Sequence, residues 1–462
     1  MTDLLAARSQ MAVSLAFHIV FAALGIALPV LMCVAEWRAR RTGDPGYRAL
    51  AKRWAKGTAI LFAVGAVSGT VLSFELGLLW PTFMARSGAA IGLPFALEGF
   101  AFFTEAIFLG IYLYGWDRVP PRAHLAAGII VAVSGTLSGI FVVLVNAWMN
   151  APVGFALAAD GTLRDVDPLR AMGSPAALAE ALHMTLAAYA ATGMAVAGVH
   201  ALLLRRPATR ADRVAAAFHR RALGVALLVG APSMILQAVA GHYSAATVAR
   251  VQPVKLAALE GQWTTMRGAP LRIGGWPDER AQRTRWALEI PYGLSLLAFD
   301  DPHALVRGLG DVPPNDRPPV LVTHLAFQTM VGCGMLSALV AAWALWALYQ
   351  SRRARRAGRP GVGLAGRPRL LLALGITAPA GFVAIEAGWV VTEVGRQPWI
   401  VQGVLRTADA VTPMPGLVVP FAGFTLLYVL LAAVVVWLLR RQIDATERTG
   451  PGRLTAEYPA RA

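Results

Sequence analysis

The sequence predicts an all-α integral membrane protein: a bundle of about nine transmembrane helices, with its N-terminus outside and its C-terminus cytoplasmic. Three observations carry this. Of 462 residues, 56% are hydrophobic and only 15% are charged, a balance that belongs to membrane chains rather than soluble domains. Apolar runs long enough to cross a hydrocarbon core recur at 11–36, 57–80, 95–116, 125–148, 178–204, 218–241, 321–349, 370–394 and 416–439. Basic residues collect in alternate connections. One cluster spans Arg38 to Lys56, a second Arg205 to Arg221 and a third Arg352 to Arg369. Cytoplasmic loops carry such an excess, so the clusters set the orientation and account for the net charge of +16 without a nucleic-acid partner. The bilayer itself is the expected surrounding.

Taken in order, the first run is too long for a signal-peptide core and lacks a basic leader, so it stays as a span. Most later connections are short, which places consecutive helices side by side. Residues 149–177, with Asp160, Asp165 and Asp167 among Gly and Pro, read as a modest outer loop. Residues 242–320 form an outer insertion of about eighty residues, rich in Pro, Gly, Trp and charge and without clear periodicity. No internal repeat supports an inverted-repeat transporter. The chain therefore reads as one polytopic membrane domain, 1–462, with 242–320 as a segment within it. Cys33 and Cys333 fall inside spans, lack metal-type spacing and read as buried apolar residues.

The polar residues inside the spans carry the chemistry. His18 falls about two turns into the first span and His183 about one turn into the fifth. Met330 lies in the outer part of the seventh, and Glu393 closes the eighth on the outer side. Imidazole, thioether and carboxylate are side chains that bind iron axially. Ionisable groups in a bilayer are costly and usually functional. Singly, a His or Met in a span is more often a packing residue; four at one depth favour an iron site between helices. Glu98 and Glu105, seven residues apart, share one face of the third span, and Glu386 and Glu393 line the eighth with Trp389 nearby. Iron ligation and proton relay are the functional reading of these stripes, and hydrogen bonding between helices is the plain one. Ser138, Asn146, Asp117 and His124 continue a polar track toward the cytoplasm, although the last two taken singly read as solvated loop residues. Arg396, left at the membrane surface beside Glu393, suits either a haem propionate or interfacial anchoring. Lys255 and Glu260 from spacing alone would be a solvated pair.

Six strings resemble subunit I of the cytochrome bd-type quinol oxidases over essentially the whole chain. They are Glu98-Gly-Phe-Ala-Phe-Phe-Thr-Glu105, Gly115-Trp116-Asp117-Arg118, Asn146-Ala-Trp148-Met149-Asn150-Ala-Pro152-Val-Gly154, Lys255-Leu-Ala-Ala-Leu-Glu260, Met330-Val-Gly332 and Glu393-Val-Gly395-Arg396-Gln397-Pro398-Trp399. The resemblance implies that His183 and Met330 are axial ligands of a low-spin haem b. It implies that His18 and Glu393 serve two high-spin haems, one a haem b and the other a haem d or a further haem b, with Glu98 close to the oxygen-reactive one. Lys255 and Glu260 would belong to the quinol-binding segment, the Q-loop. Glu105, Asp117, His124, Ser138 and Asn146 match positions tied to proton supply or to the polar interior around it. Gln328 stands where some members carry Arg, and the short stretch after Glu260 suggests the short-Q-loop, cyanide-insensitive-like branch.

The function implied is that of a respiratory terminal oxidase in the bacterial cytoplasmic membrane. Ubiquinol or menaquinol would be oxidised at the outer face and O2 reduced to water with cytoplasmic protons, which generates proton motive force without pumping. The family works as a heterodimer with a second polytopic subunit, with small accessory subunits in some cases. A non-oxidase membrane b-type cytochrome and a proton-coupled transporter are the alternatives. Bound haem would reject the transporter, and quinol-driven oxygen consumption would separate oxidase from cytochrome.

Overall fold

The structure is a computed structural model that describes residues 1–456, with side chains through Arg441. Among the described residues, nine helices are long and apolar enough to cross a membrane. They are α1 (Asp3–Thr42), α2 (Pro45–Leu79), α3 (Pro81–Tyr114), α4 (Pro121–Asn150), α6 (Ala177–Arg205), α8 (Arg213–Val251), α11 (Val320–Arg356), the pair α12 (Pro368–Ile376) and α13 (Ala380–Val394), and α14 (Val418–Ala456). Short helices α5 (Pro168–Met172), α7 (Pro207–Ala211), α9 (Pro253–Glu260) and α10 (Gly293–Phe299) lie between them.

The boundaries follow local chemistry. Proline opens α2, α3 and α4, where its missing N–H costs nothing. Asp44 and Asp212 cap α2 and α8 by accepting backbone N–H bonds. Gly43, at φ 69°, turns the chain out of α1 in the left-handed region. The run expected as one span over 370–394 is divided. Thr377 to Pro379 interrupt it, because Pro379 removes a backbone donor and opens a new helix at Ala380.

Apolar attraction is weak between helices in lipid, so close backbone approach holds the centre. A Cβ at Gly193 of α6 would lie 2.4 Å from Gly230 Cα of α8, so the two helices touch backbone to backbone there. Ala190, Met194, Ala197, Leu223, Leu227, Ala341 and Leu374 complete that core with α11 and α12. By contrast α3 and α14 present most of their apolar surface outward, including Phe100, Phe103, Val419 and Leu426.

The outer segment departs from expectation. Its first residues continue α8 to Val251, and the rest is ordered by short antiparallel pairings. These join β3 (Met266–Arg267) with β8 (Leu305–Val306), β4 (Leu271–Ile273) with β7 (Leu288–Ile290), and β5 (Trp276–Asp278) with β6 (Arg283–Arg285). Segments of two or three residues carry no readable period, which is why the sequence looked structureless. Residues 149–177 hold one further hairpin, β1 (Ala156–Leu157) with β2 (Leu163–Arg164), followed by α5.

Candidate functional site

The candidate ligands come from four separate helices. Glu393 is one residue from the end of α13, His183 six residues into α6, Met330 ten into α11 and His18 fifteen into α1. At 1.5 Å per residue His18 is roughly 22 Å along its helix, about four turns from the start of α1 against two from the start of the apolar run. The difference arises because α1 begins eight residues before the apolar run does.

His18 Nδ1 lies 2.9 Å from Ser68 Oγ of α2. The Ser68 hydroxyl donates to Val64 O at 2.9 Å, so its oxygen accepts from His18 Nδ1–H. That leaves the Nε2 lone pair for a metal. His183 sits against Gln237 of α8, whose Nε2 is 3.2 Å from both ring nitrogens. The Gln237 Oε1 is buried and has no partner among the described residues. Met330 Sδ lies 3.1 Å from where a Cβ would stand on Gly388 of α13.

A glycine faces each of the three. A Cβ at Gly69 would be 3.0 Å from His18 Cε1, and one at Gly241 would be 3.6 Å from His183 Cε1. Bare backbone at these glycines lets the imidazole or thioether lie against the neighbouring helix. Among the described residues no three His, Cys, Asp or Glu side chains converge on one point. The donor set therefore fits axial ligation of haem iron, one or two protein ligands per ring, rather than a bare ion.

Glu393 belongs to a buried polar network at the outer ends of α4, α6, α9 and α13. Arg396 Nη2 donates to its Oε2 at 2.5 Å, and Asn146 Nδ2 donates to its Oε1. Asn150 Nδ2 donates to Asn146 Oδ1 and to Glu180 Oε1, both at 2.9 Å. Asn150 Oδ1 accepts from Lys255 Nζ at 2.9 Å, and from Gln252 and Arg396 at 3.3 and 3.4 Å. Two cations and two carboxylates thus share one hub, which offsets the cost of burying each.

This corrects two expectations. Arg396 is not an exposed anchoring residue; it is buried inside the protein, 2% exposed. Lys255 and Glu260 are not a solvated pair, being buried at 4% each on the inward side of α9. Burial, reinforced by Arg396, holds the Lys255 ammonium below its ordinary value, against the opposing pull of Glu180 and Glu393. Burial pushes Glu260 up to about 7, with Arg272 opposing, and its Oε2 has no partner among the described residues. Gln328 is bonded to the same segment, accepting from Gly274 N and donating to Arg272 O, both at 3.0 Å.

The inner carboxylates sit elsewhere. Ser138 Oγ donates to Glu98 Oε1 at 3.1 Å, and a Cβ at Gly135 of α4 would be 3.0 Å from Glu105 Oε2. Both contacts put these carboxyls on the α3–α4 seam. Glu386 Oε1 is buried without a partner among the described residues, and Trp389 stands one turn further along α13. The expected polar track from Asn146 through Ser138 to His124 and Asp117 is divided. Asn146 joins Glu393, Ser138 joins Glu98, and Asp117 pairs with Arg48 at 2.5 Å. His124 is a buried residue, not a loop residue, with Nδ1 3.1 Å from both Glu36 oxygens and Nε2 2.9 Å from Tyr112 O. Both ring nitrogens face acceptors, the Glu36 carboxylate on one side and the Tyr112 carbonyl on the other. Cys33 and Cys333 are free thiols, partly rather than fully buried.

Glu36, Glu180 and Asn150 escaped the sequence reading. Glu180 is three residues before His183, one helical turn, and that spacing was the available signal. Asn150 stands inside a motif already quoted. Glu36 abuts a run of Arg and looks like an ordinary interfacial carboxylate.

Comparisons with known proteins identify the family. The family described as cytochrome bd terminal oxidase subunit I matches residues 6–447. A Bacillus subtilis protein named as a cytochrome bd menaquinol oxidase subunit I is 38% identical over 444 residues, covering 95% of this chain and 96% of the relative. The cytochrome bd-II ubiquinol oxidase subunit 1 of Escherichia coli is 28% identical over 530 residues, covering 98% of each chain. The bd oxidase structure from Geobacillus thermodenitrificans superposes with a TM-score of 0.86 at 36% identity, over 96% of this chain and 99% of that one. The chain belongs to the cytochrome bd terminal oxidase subunit I family, and its activity is that of a quinol:oxygen oxidoreductase.

Proposed function

We propose that quinol is oxidised against the outer segment, that haems held by His18, His183, Met330 and Glu393 link it to O2, and that protons for water come from the cytoplasmic side. The observation that supports this best is the unbroken hydrogen-bonded path from Lys255 through Asn150 and Asn146 to Glu393. A residue of the quinol segment stands two side chains from a candidate iron ligand.

In this reading His183 and Met330 hold the low-spin haem b. His18 and Glu393 hold the two high-spin haems, one b and the other d or a further b, with Glu98 beside the oxygen-reactive one. Haem, when bound, supplies one-electron transfer and an iron position open to oxygen. Glu260, through its unpartnered Oε2, accepts a quinol hydroxyl proton, and Lys255 orients the quinol oxygen. Arg396 presents its guanidinium to a propionate as well as to Glu393. Trp389, one turn before Glu393 on α13, would flank the haem that Glu393 would hold. Glu105, Glu98 and Ser138 carry protons along the α3–α4 seam, and the hydrogen-bonded Glu36–His124 pair lies nearer the cytoplasm. Quinol protons leave outside while chemical protons arrive from inside, so charge separates without a pump.

The chain acts as one membrane domain in the bacterial cytoplasmic membrane, beside subunit II and any small accessory subunits, and within the short-Q-loop branch. Menaquinol, named for the Bacillus relative, is the first quinol to test, with ubiquinol second. The deciding measurement is a reduced-minus-oxidised spectrum of membranes carrying this chain with its partner, repeated with carbon monoxide. Low-spin b bands with a CO-sensitive high-spin signal are expected, and a far-red chlorin band would assign haem d. Folded protein without any haem signal would overturn the reading.

A further inference from the structure

A cavity of about 590 Å³ opens at the cytoplasmic ends of α2, α8 and α11. Its cationic wall is built from two opposed helix faces. Arg220, Arg221 and Gly224 lie one turn apart on α8; Leu348, Arg352 and Arg355 repeat at helical spacing on α11. Arg221 is already satisfied, because its Nε donates to Asp44 Oδ2 at 2.7 Å. Among the described residues, no ion pair joins Arg220, Arg352 or Arg355 to a carboxylate. Three guanidinium groups around one cavity repel one another until an anion enters.

The positive-inside rule accounts for arginines in these loops but not for their convergence on one cavity from two helices. Above the arginines the wall turns apolar. Nothing stands within 4 Å of a Cβ built on Gly224, and Leu228, one turn further into the membrane, is 44% exposed. The cleft thus has a cationic floor, and an open apolar face of α8, Gly224 and Leu228, continues from it. A second basic cavity, beside Trp116, differs because it contains its own anion: Asp117 lies 2.5 Å from Arg48 and 3.8 Å from Lys52.

We propose that the α8–α11 cleft binds the phosphate headgroup of an anionic phospholipid of the cytoplasmic leaflet, with an acyl chain along the exposed Gly224–Leu228 face of α8. The guanidinium fork suits phosphate oxygens, and basic pockets between spans on this side recognise such headgroups. A free phosphate offers the same anion without the chain, so the two sources are separable by experiment.

The test titrates the intact oxidase complex in phosphate-free detergent with dioleoyl phosphatidylglycerol, dioleoyl phosphatidylcholine or inorganic phosphate, and counts bound molecules by native mass spectrometry. Wild type should hold one phosphatidylglycerol at least about tenfold more tightly than phosphatidylcholine. At about 1 kcal/mol per cation, a combined Arg220→Gln, Arg352→Gln, Arg355→Gln variant should lose roughly a hundredfold at that one site. Gly224→Leu keeps every charge and should weaken the lipid while leaving any phosphate binding unchanged. Haem spectra confirm that each variant is assembled; should the triple variant fail, Arg355→Gln and Gly224→Leu carry the comparison. Equal retention of the two lipids would overturn the proposal. So would an unaltered arginine variant, or phosphate displacing the lipid while Gly224→Leu has no effect.

Discussion

Asn150 is fully buried and joins the quinol segment to the candidate haem ligand, so Asn150→Ala is the most informative single change. A carboxamide has two N–H bonds and two lone pairs, and here every one of them is used. The oxygen serves the Lys255 ammonium at 2.9 Å, and the nitrogen serves the Glu180 carboxylate at 2.9 Å. A hydrogen bond to a charged group contributes about 1.5–3 kcal/mol, and truncation leaves both charges buried with one partner fewer. If Lys255 orients quinol, losing its bond to Asn150 should lower kcat/KM for quinol by about 10- to 150-fold. Haem reduction by an artificial donor, which bypasses Lys255, should stay within about twofold of wild type. A double-mutant cycle with Lys255→Met isolates the contact. The double variant should be no worse than the poorer single one, with a coupling energy of about 1.5–3 kcal/mol. Additive losses, or an Asn150→Ala enzyme with undiminished quinol turnover, would refute the idea that this amide positions Lys255.

Three further outcomes are expected. Met330→Leu should abolish or shift the low-spin spectrum while leaving a CO-binding haem; an unchanged spectrum would remove Met330 from the ligand set. Gly388→Leu keeps the ligand but places carbon against Met330 Sδ, where a Cβ alone comes to 3.1 Å, so the low-spin band and its potential should move. A spectrum and potential identical to wild type would show that the sulfur does not rest on this helix. Glu260 is raised to about 7, so it is protonated below that pH and cannot accept from quinol. The quinol kcat/KM should therefore fall roughly tenfold per unit below about pH 7, and Glu260→Gln should give a low rate without that limb. Because the folded state raises this carboxyl, its effect on stability has the opposite sign from a salt-bridged acid. The neutral form fits the fold, and stability declines as pH rises from about 4.5 to about 7. Persistence of the acid limb in the Gln variant would assign it to another group.

Nine spans were legible because membrane crossing is a local property: each run carries its own length and apolarity. The interruption at Thr377 to Pro379 was less visible, since it carries no charge and sits inside one continuous uncharged stretch, 370–385. Motif strings located Lys255, Glu393 and Arg396 but not their environment. Burial of Lys255 depends on Asn150 lying opposite it, 105 residues away in sequence, and no periodicity encodes that distance. His124 shows the same limit. Judged by its neighbours Pro120, Pro121 and Arg122 it belongs to a loop, yet Glu36 of a different span meets it across the bundle. Charge in a bilayer is tolerated only where another helix supplies its partner. A span sequence can therefore announce that an ionisable group is buried, while the partner's identity belongs to the packing. Glu180 illustrates the consequence: alone at the head of α6 it would be an expensive anion, and only the convergence of Asn150, Lys255 and Arg396 makes its place affordable.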